Sequence, residues 1–348
     1  PLGALLSVAT LMLLVYAVIE GPDHGWTSAQ ILGTGGLGLA LLAAFIGWET
    51  RSSHPMLDLK LFRDRRFSIG AATLTLLYFS ALGTYFLYTQ HLQFVLGYSP
   101  LRAGVYTVPF AVVLVIVSLQ TPRALARWGT GKVAGMGMTI AGVAAFVRAT
   151  ANAHTGYPLL LVSLIIVGIG VGCTIAPSTA SIMSSLSPHQ AGVGSAINDA
   201  ARQVGAAAGV AVLGSVWSSA YYSYLAKAPL PGVPASAIAA GRSSVGAAIA
   251  AARNLPAASG SNLVETAKAA FVHGSNVANV VAAVVAIGGA VAAVTLLRAR
   301  RPVPRAEPVD GVDVVDVVEA AAESAPVVIA LGPQVAQAVA EERAPEYY

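Results

Sequence analysis

The chain has 348 residues, of which 56% are hydrophobic and 10% charged, with a formal net charge of +4. An ordinary soluble domain carries about 25% charged residues, and a mean hydropathy of +0.70 means more apolar surface than a fold of this length can bury in water. Composition therefore excludes a soluble enzyme or a nucleic-acid binder and makes the lipid bilayer the expected solvent.

A membrane crossing needs roughly 17 to 25 apolar residues, and eight runs qualify: 3–19, 31–48, 67–89, 103–120, 133–150, 159–183, 203–222 and 277–297. The first lacks a basic leader and a small-residue cleavage site, so it reads as a span and not as a signal peptide. The chain begins at Pro1, without an initiator Met and almost directly at a span, as expected of a fragment whose N-terminal part is missing. Gly33, Gly35 and Gly38 match a dinucleotide fingerprint by spacing, but inside a span with no preceding strand they read as helix packing.

The connections alternate in charge. One side holds Arg51, Lys60, Arg63, Arg65 and Arg66, then Arg123, Arg127 and Lys132, then Arg202, then Arg298, Arg300, Arg301 and Arg305. The other side holds Arg102, Arg148, Lys227, Arg242, Arg253 and Lys268, four of them in one long loop where charge counts for less. The richer side is expected to be cytoplasmic, with both termini on it and the loop 223–275 outside. That loop offers two Ala-rich, weakly amphipathic segments, 235–253 and 262–271, which fit either a helical hairpin on the outer surface or disorder. From Pro302 onward nine acids and six prolines predict a solvated tail.

The spans carry few ionisable groups, and intramembrane carboxylates are what proton-coupled transport asks for. Outside the tail the acids are Glu20, Asp23, Glu49, Asp58, Asp64, Asp199 and Glu265, of which Asp199 alone is expected close to a span and embedded among apolar residues. Asp199 and Arg202 are three apart on a helix and can pair, with Asn198 and Gln203 beside them. Two readings of this group stand: a helix-entry cap or inner-gate latch, and a direct proton or substrate role. Arg148, near the end of its span, is expected to snorkel to the interface.

Further along the helix that Asp199 enters, Ala201, Gly205 and Gly209 share a face in small-xxx-small spacing, as do Gly168 and Gly172 in the sixth span, where Pro177 supplies a kink or hinge. In the third span Tyr78, Leu82, Tyr85 and Thr89 form a helical stripe; in the fourth, Tyr106, Pro109 and Phe110 share a face and Pro109 is expected to bend the helix. Tyr78, Tyr85, Tyr106 and Phe110 are the candidate walls of a cavity for small lipophilic or cationic compounds, against the alternative of lipid-facing aromatics. Cys173 is the lone cysteine and reads as a packing residue. The six histidines show no metal-ligand spacing and no catalytic motif is present, so no cofactor, metal or enzymatic activity is expected.

The segment AGVGSAINDAARQVGAAAGVAVLG (191–214) resembles the signature entering the penultimate span of the fourteen-span drug:proton antiporter branch of the major facilitator superfamily. EGPDHGWTS (20–28), HPMLDLKLFRDRRF (54–67) and GYSPLRAGVYTVP (97–109) resemble the same family in the same order. The resemblance implies an all-α polytopic membrane protein whose last six spans form the C-terminal bundle. Residues 1–48 would be two linker spans, 49–66 a basic cytoplasmic connector, 67–301 the bundle and 302–348 the cytoplasmic tail. It implies multidrug export driven by protons, with the partner bundle missing from this chain and most coupling carboxylates in it. Two departures are visible: 121–132 lacks the Asp of a Gly-Arg-x-x-Asp-Arg turn, and Asn198-Asp199-Ala200 stands where Asn-Asn-Thr is common. The alternative is a membrane scaffold or regulatory subunit without transport of its own.

Overall fold

A computed structural model describes residues 2–52, 59–187 and 190–297. The acidic tail, Arg298, Arg300, Arg301, Arg305 and positions 53–58 of the basic connector lie outside these residues. Among the described residues there are eleven α-helices and no strand: α1 Leu2–His24, α2 Ala29–Arg51, α3 Arg65–Gln90, α4 Pro100–Val105, α5 Val108–Trp128, α6 Thr130–Arg148, α7 Tyr157–Met183, α8 Ala191–Lys227, α9 Ala235–Ser243, α10 Val245–Ala252 and α11 Ala257–Leu296. Eight helical stretches are long and apolar enough to cross a membrane, α4 and α5 together making one of them. The protein is an integral membrane protein of all-α architecture.

Backbone chemistry explains the helices: in hydrocarbon every N–H and C=O must find its partner within the segment. Where helices face each other the contacts are small. A Cβ added at Gly83 of α3 would stand 2.6 Å from the Gly209 carbonyl oxygen of α8, while Cβ atoms at Gly205 and Gly209 would strike the carbonyl oxygens of Thr75 and Phe79. The expected small-residue face of α8 thus packs against α3 backbone to backbone. Gly168 and Gly172 turn toward Val113 and Val117 of α5, and Gly170 of α7 meets Gly137 and Ala141 of α6. On the outside, Val108, Val112, Ile116 and Leu119 of α5 and Val277, Val280, Val284, Ile287, Val291 and Val294 of α11 are exposed, an apolar surface whose solvent is lipid.

α3 runs through the middle, touching α6, α7, α8 and α11, whereas α1 and α2 pair with each other and reach the rest through α1 and α8. Phe67, Leu74, Leu77, Leu114 and Met138 fill the core toward the start of α3; Val95, Tyr221, Leu225 and Phe271 fill a second cluster beyond its end. α5 passes to α6 through Gly129 alone, at φ 80°, a left-handed conformation that glycine adopts without strain.

Several expectations are corrected. The seventh span does not begin at 203: α8 starts at Ala191, so the polar entry is itself helix. In the segment 223–275 the helical reading holds and the disordered one does not, though its helices are partly continuations of the spans. α8 continues to Lys227, the 235–253 stretch divides at Ser244 into α9 and α10, and α11 starts at Ala257. The reason is packing: Ala237, Ala248, Leu263 and Ala267 bury one another, and the Tyr221 hydroxyl donates to the Gly241 carbonyl at 2.6 Å. At 1.5 Å per residue the 37 residues of α8 reach about 55 Å and the 40 of α11 about 60 Å, beyond the roughly 30 Å of hydrocarbon. Pro109 does not bend a continuous helix; the chain breaks at Tyr106–Thr107 and Pro109 sits in the first turn of α5, where its missing N–H costs nothing. Pro177 lies inside α7 and withholds a donor from the carbonyl four residues before it.

Candidate functional site

The aromatic stripe of α3 is split between two places. Tyr85 lies with Leu82, Ala81 and Phe110 around a recess that Leu164 and Val167 of α7 and Arg148 of α6 complete. The rings of Tyr85 and Phe110 are 6.3 Å apart. The recess encloses about 20 Å³, room for a water but far below the roughly 300 Å³ or more of a drug-sized pocket. Tyr78 is two turns away, buried in the core with the Arg202 guanidinium 5.4 Å above its ring. Tyr106 belongs to neither. It sits against Tyr157 at 4.4 Å and Tyr98 at 5.0 Å, its carbonyl accepts from the Tyr157 hydroxyl, and Arg102 lies 4.2 Å over Tyr98.

The polar entry of α8 fans out by helical rotation. Asn198 accepts from the Thr179 hydroxyl of α7 at 2.9 Å, Arg202 turns inward over Tyr78 of α3, and Asp199 and Gln203 turn outward. The arrangement links three helices at one end of the bundle. Asp199 is 67% exposed and lies 4.0 Å from Arg202, so the carboxylate expected among apolar residues is not embedded. Among the described residues, the acid that burial does enclose is Glu49 at the end of α2, 4% exposed and packed against Gly3. Asp64 caps α3: its carboxylate accepts from the Phe67 and Arg66 N–H groups at 3.0 and 2.8 Å and from the Ser185 hydroxyl at 3.1 Å. The Phe67 N–H leads in holding this carboxyl below the usual range, with Ser185 and Arg66 adding to it.

Arg148 does not snorkel. It is 5% exposed, donates to the Thr84 carbonyl at 3.0 Å and lies 5.3 Å from the Tyr88 ring. Behind it is a smaller void of about 10 Å³ lined by Tyr88, His91, Ser275, Asn276 and Asn279. His91 opens a π-helical turn, His91–Val95, that continues α3, and such turns favour functional positions. Asn276 donates its amide to the Ala151 carbonyl at 2.8 Å, which fixes its oxygen toward the void. The sequence held one signal for this cluster, an arginine within a membrane-length run, a functional hypothesis by default; that Asn276 and Asn279 would meet it from the last span needed the fold. A third hollow, of about 890 Å³, opens between the ends of α8 and α11 around His154, Tyr224, Lys227, Lys268 and His273.

Residues 2–210 match the Major Facilitator Superfamily. The chain is 39% identical over 226 residues to the multidrug resistance protein Stp of Mycobacterium tuberculosis, which covers 63% of this chain and 41% of that protein. It is 31% identical over 291 residues to the multidrug efflux pump LfrA of Mycolicibacterium smegmatis (83% and 57%), and 29% identical over 307 residues to the tetracenomycin C resistance and export protein of Streptomyces glaucescens (87% and 56%). The chain thus spans between two fifths and three fifths of the length of the curated relatives it matches.

Proposed function

Given that the chain belongs to the Major Facilitator Superfamily, we propose that it is the C-terminal portion of a secondary active exporter of lipophilic drugs or antibiotics. Its bundle rocks against an N-terminal bundle in alternating access around a cavity between them. The observation that carries this reading is the likeness to LfrA, a multidrug efflux pump, over 83% of the chain. Geometry adds to it: a recess walled by Tyr85 and Phe110 offers stacking surface, and too small a volume for a drug leaves the remaining wall to another bundle.

Residues 1–48 are the linker pair, a role consistent with the way α1 and α2 stand apart from the rest. Residues 49–66 are the connector and 67–301 the bundle, with 223–275 as its extracytoplasmic extension and 302–348 as the tail. Positive charge places both termini of this segment in the cytoplasm, which puts the Asn198–Thr179 and Arg202–Tyr78 links at the inner face. We assign them as an inner latch, with Gly168, Gly172, Pro177, Gly205 and Gly209 as the seams and hinge on which it works. Export is coupled to protons, and the carriers lie mainly in the N-terminal bundle, since Asp199 is exposed.

The test is dye transport by the full-length chain in everted membrane vesicles. A pH gradient, acid inside, drives accumulation of a lipophilic dye, and a protonophore abolishes it. Accumulation that ignores the gradient and needs ATP would overturn the assignment.

A further inference from the structure

We infer that the Tyr85–Phe110 recess selects lipophilic cargo bearing an acidic oxygen, a carboxylate or phenolate, and that Arg148 is the residue that recognises it; the inference rests on the export function proposed above. Arg148 lines the recess together with six apolar or aromatic residues and contributes its only full charge. Its guanidinium has a backbone carbonyl and the face of Tyr88 as partners, its Nε finds no hydrogen-bond acceptor, and no carboxylate lies within 4.0 Å among the described residues. A charge left this way in low dielectric exerts a strong field. That field attracts an anion and repels a cation, and the planar guanidinium matches a carboxylate fork.

The Thr84 carbonyl and the Tyr88 ring hold Arg148 in place, with a polar cluster behind it. Tyr88 Oη, His91 Nε2, Ser275 Oγ and the side-chain oxygens of Asn276 and Asn279 are buried around one void without protein partners. The void has the volume of a single water, and one water can donate to both amide oxygens while accepting from a hydroxyl. No acid is among these groups, so the cluster leaves the charge of Arg148 unneutralised. Placing such an arginine in a membrane bundle is costly, and an aliphatic residue would fill the wall without that cost. The expected lipophilic or cationic cargo is thereby restricted at this recess to acidic and neutral lipophilic compounds.

Three ligands on one fused-ring scaffold test this on the full-length chain: an aromatic carboxylate, its methyl ester and a trimethylammonium analogue. The wild type binds the acid about ten-fold or more tightly than the ester, and the cation most weakly. Arg148→Gln removes the acid's advantage while ester binding stays within about two-fold, and Arg148→Lys restores part of it. Equal wild-type affinity for acid and ester overturns the inference even if the Gln variant fails to fold. So does a uniform loss of all three ligands in the Gln variant that Lys does not rescue. If the wild type exports the cation as readily as the acid, the inference falls and the export function stands; if it exports no lipophilic compound at all, both fall.

Discussion

Arg148 and Arg202 each stand over a tyrosine of α3, 5.3 Å above Tyr88 near its end and 5.4 Å above Tyr78 at its middle, yet the two places treat their arginines differently. Arg202 lies at the border of the bundle, 16% exposed, with Asp199 three residues before it. Arg148 is 5% exposed, faces a recess on one side and a polar cluster without an acid on the other, and has no carboxylate beside it among the described residues. A charge with a local counterion at a helix entry suits a contact that closes and opens. A charge held deep without one suits recognition of a charge brought from outside.

The comparison breaks most severely if α8 is pushed from α3. Gly209→Leu drives a side chain into the Phe79 carbonyl, and should cost about 3 kcal/mol, at the upper end of overpacking. Melting in detergent would show it, and a change below about 0.5 kcal/mol would mean that the seam is not the close contact described. Arg202 would lose Tyr78 in this variant while Arg148, reached from α6, keeps Tyr88.

A smaller effect comes from the cap of the helix that carries both tyrosines. Asp64→Ala should destabilise by about 1 kcal/mol. Because the folded carboxyl titrates below its ordinary value of 3.8, its contribution is complete above that value and is lost as pH falls through the lowered one. Acid melting of the wild type and the Ala variant should therefore converge below about pH 4; a gap that persists or widens in acid would contradict the cap. The smallest effect is expected of Asp199→Asn, within about 0.5 kcal/mol, since Asp199 is 67% exposed and meets Arg202 only at 4.0 Å. A cost equal to that of Asp64→Ala would show that the latch depends on the ion pair and not on Arg202 over Tyr78.

The spans, the Gly205–Gly209 face and the family were legible in the sequence because hydropathy and small-residue spacing are local patterns. Arg148 was visible as an anomaly in its span, but its burial depends on Thr84, Tyr88 and Asn276, which are distant in sequence, and no periodicity brings them together. The aromatic stripe misled for a related reason. Tyr78 and Tyr85 share a helical face, but Arg202 covers one and the α5–α7 wall encloses the other. The 223–275 segment was ambiguous because alanine suits helix and loop alike until Leu263 and Tyr221 give it something to pack on.

The most direct test of these two roles is a kinetic comparison of transport by Arg148→Gln and Arg202→Gln variants of the full-length protein, with the aromatic acid and its ester as test compounds. Recognition by Arg148 predicts a raised KM for the acid alone with kcat held, while a latch at Arg202 predicts a changed kcat for both cargoes with KM held. If both variants move the same parameter for both cargoes, the two arginines do one job, and the division drawn between the middle and the end of α3 is wrong.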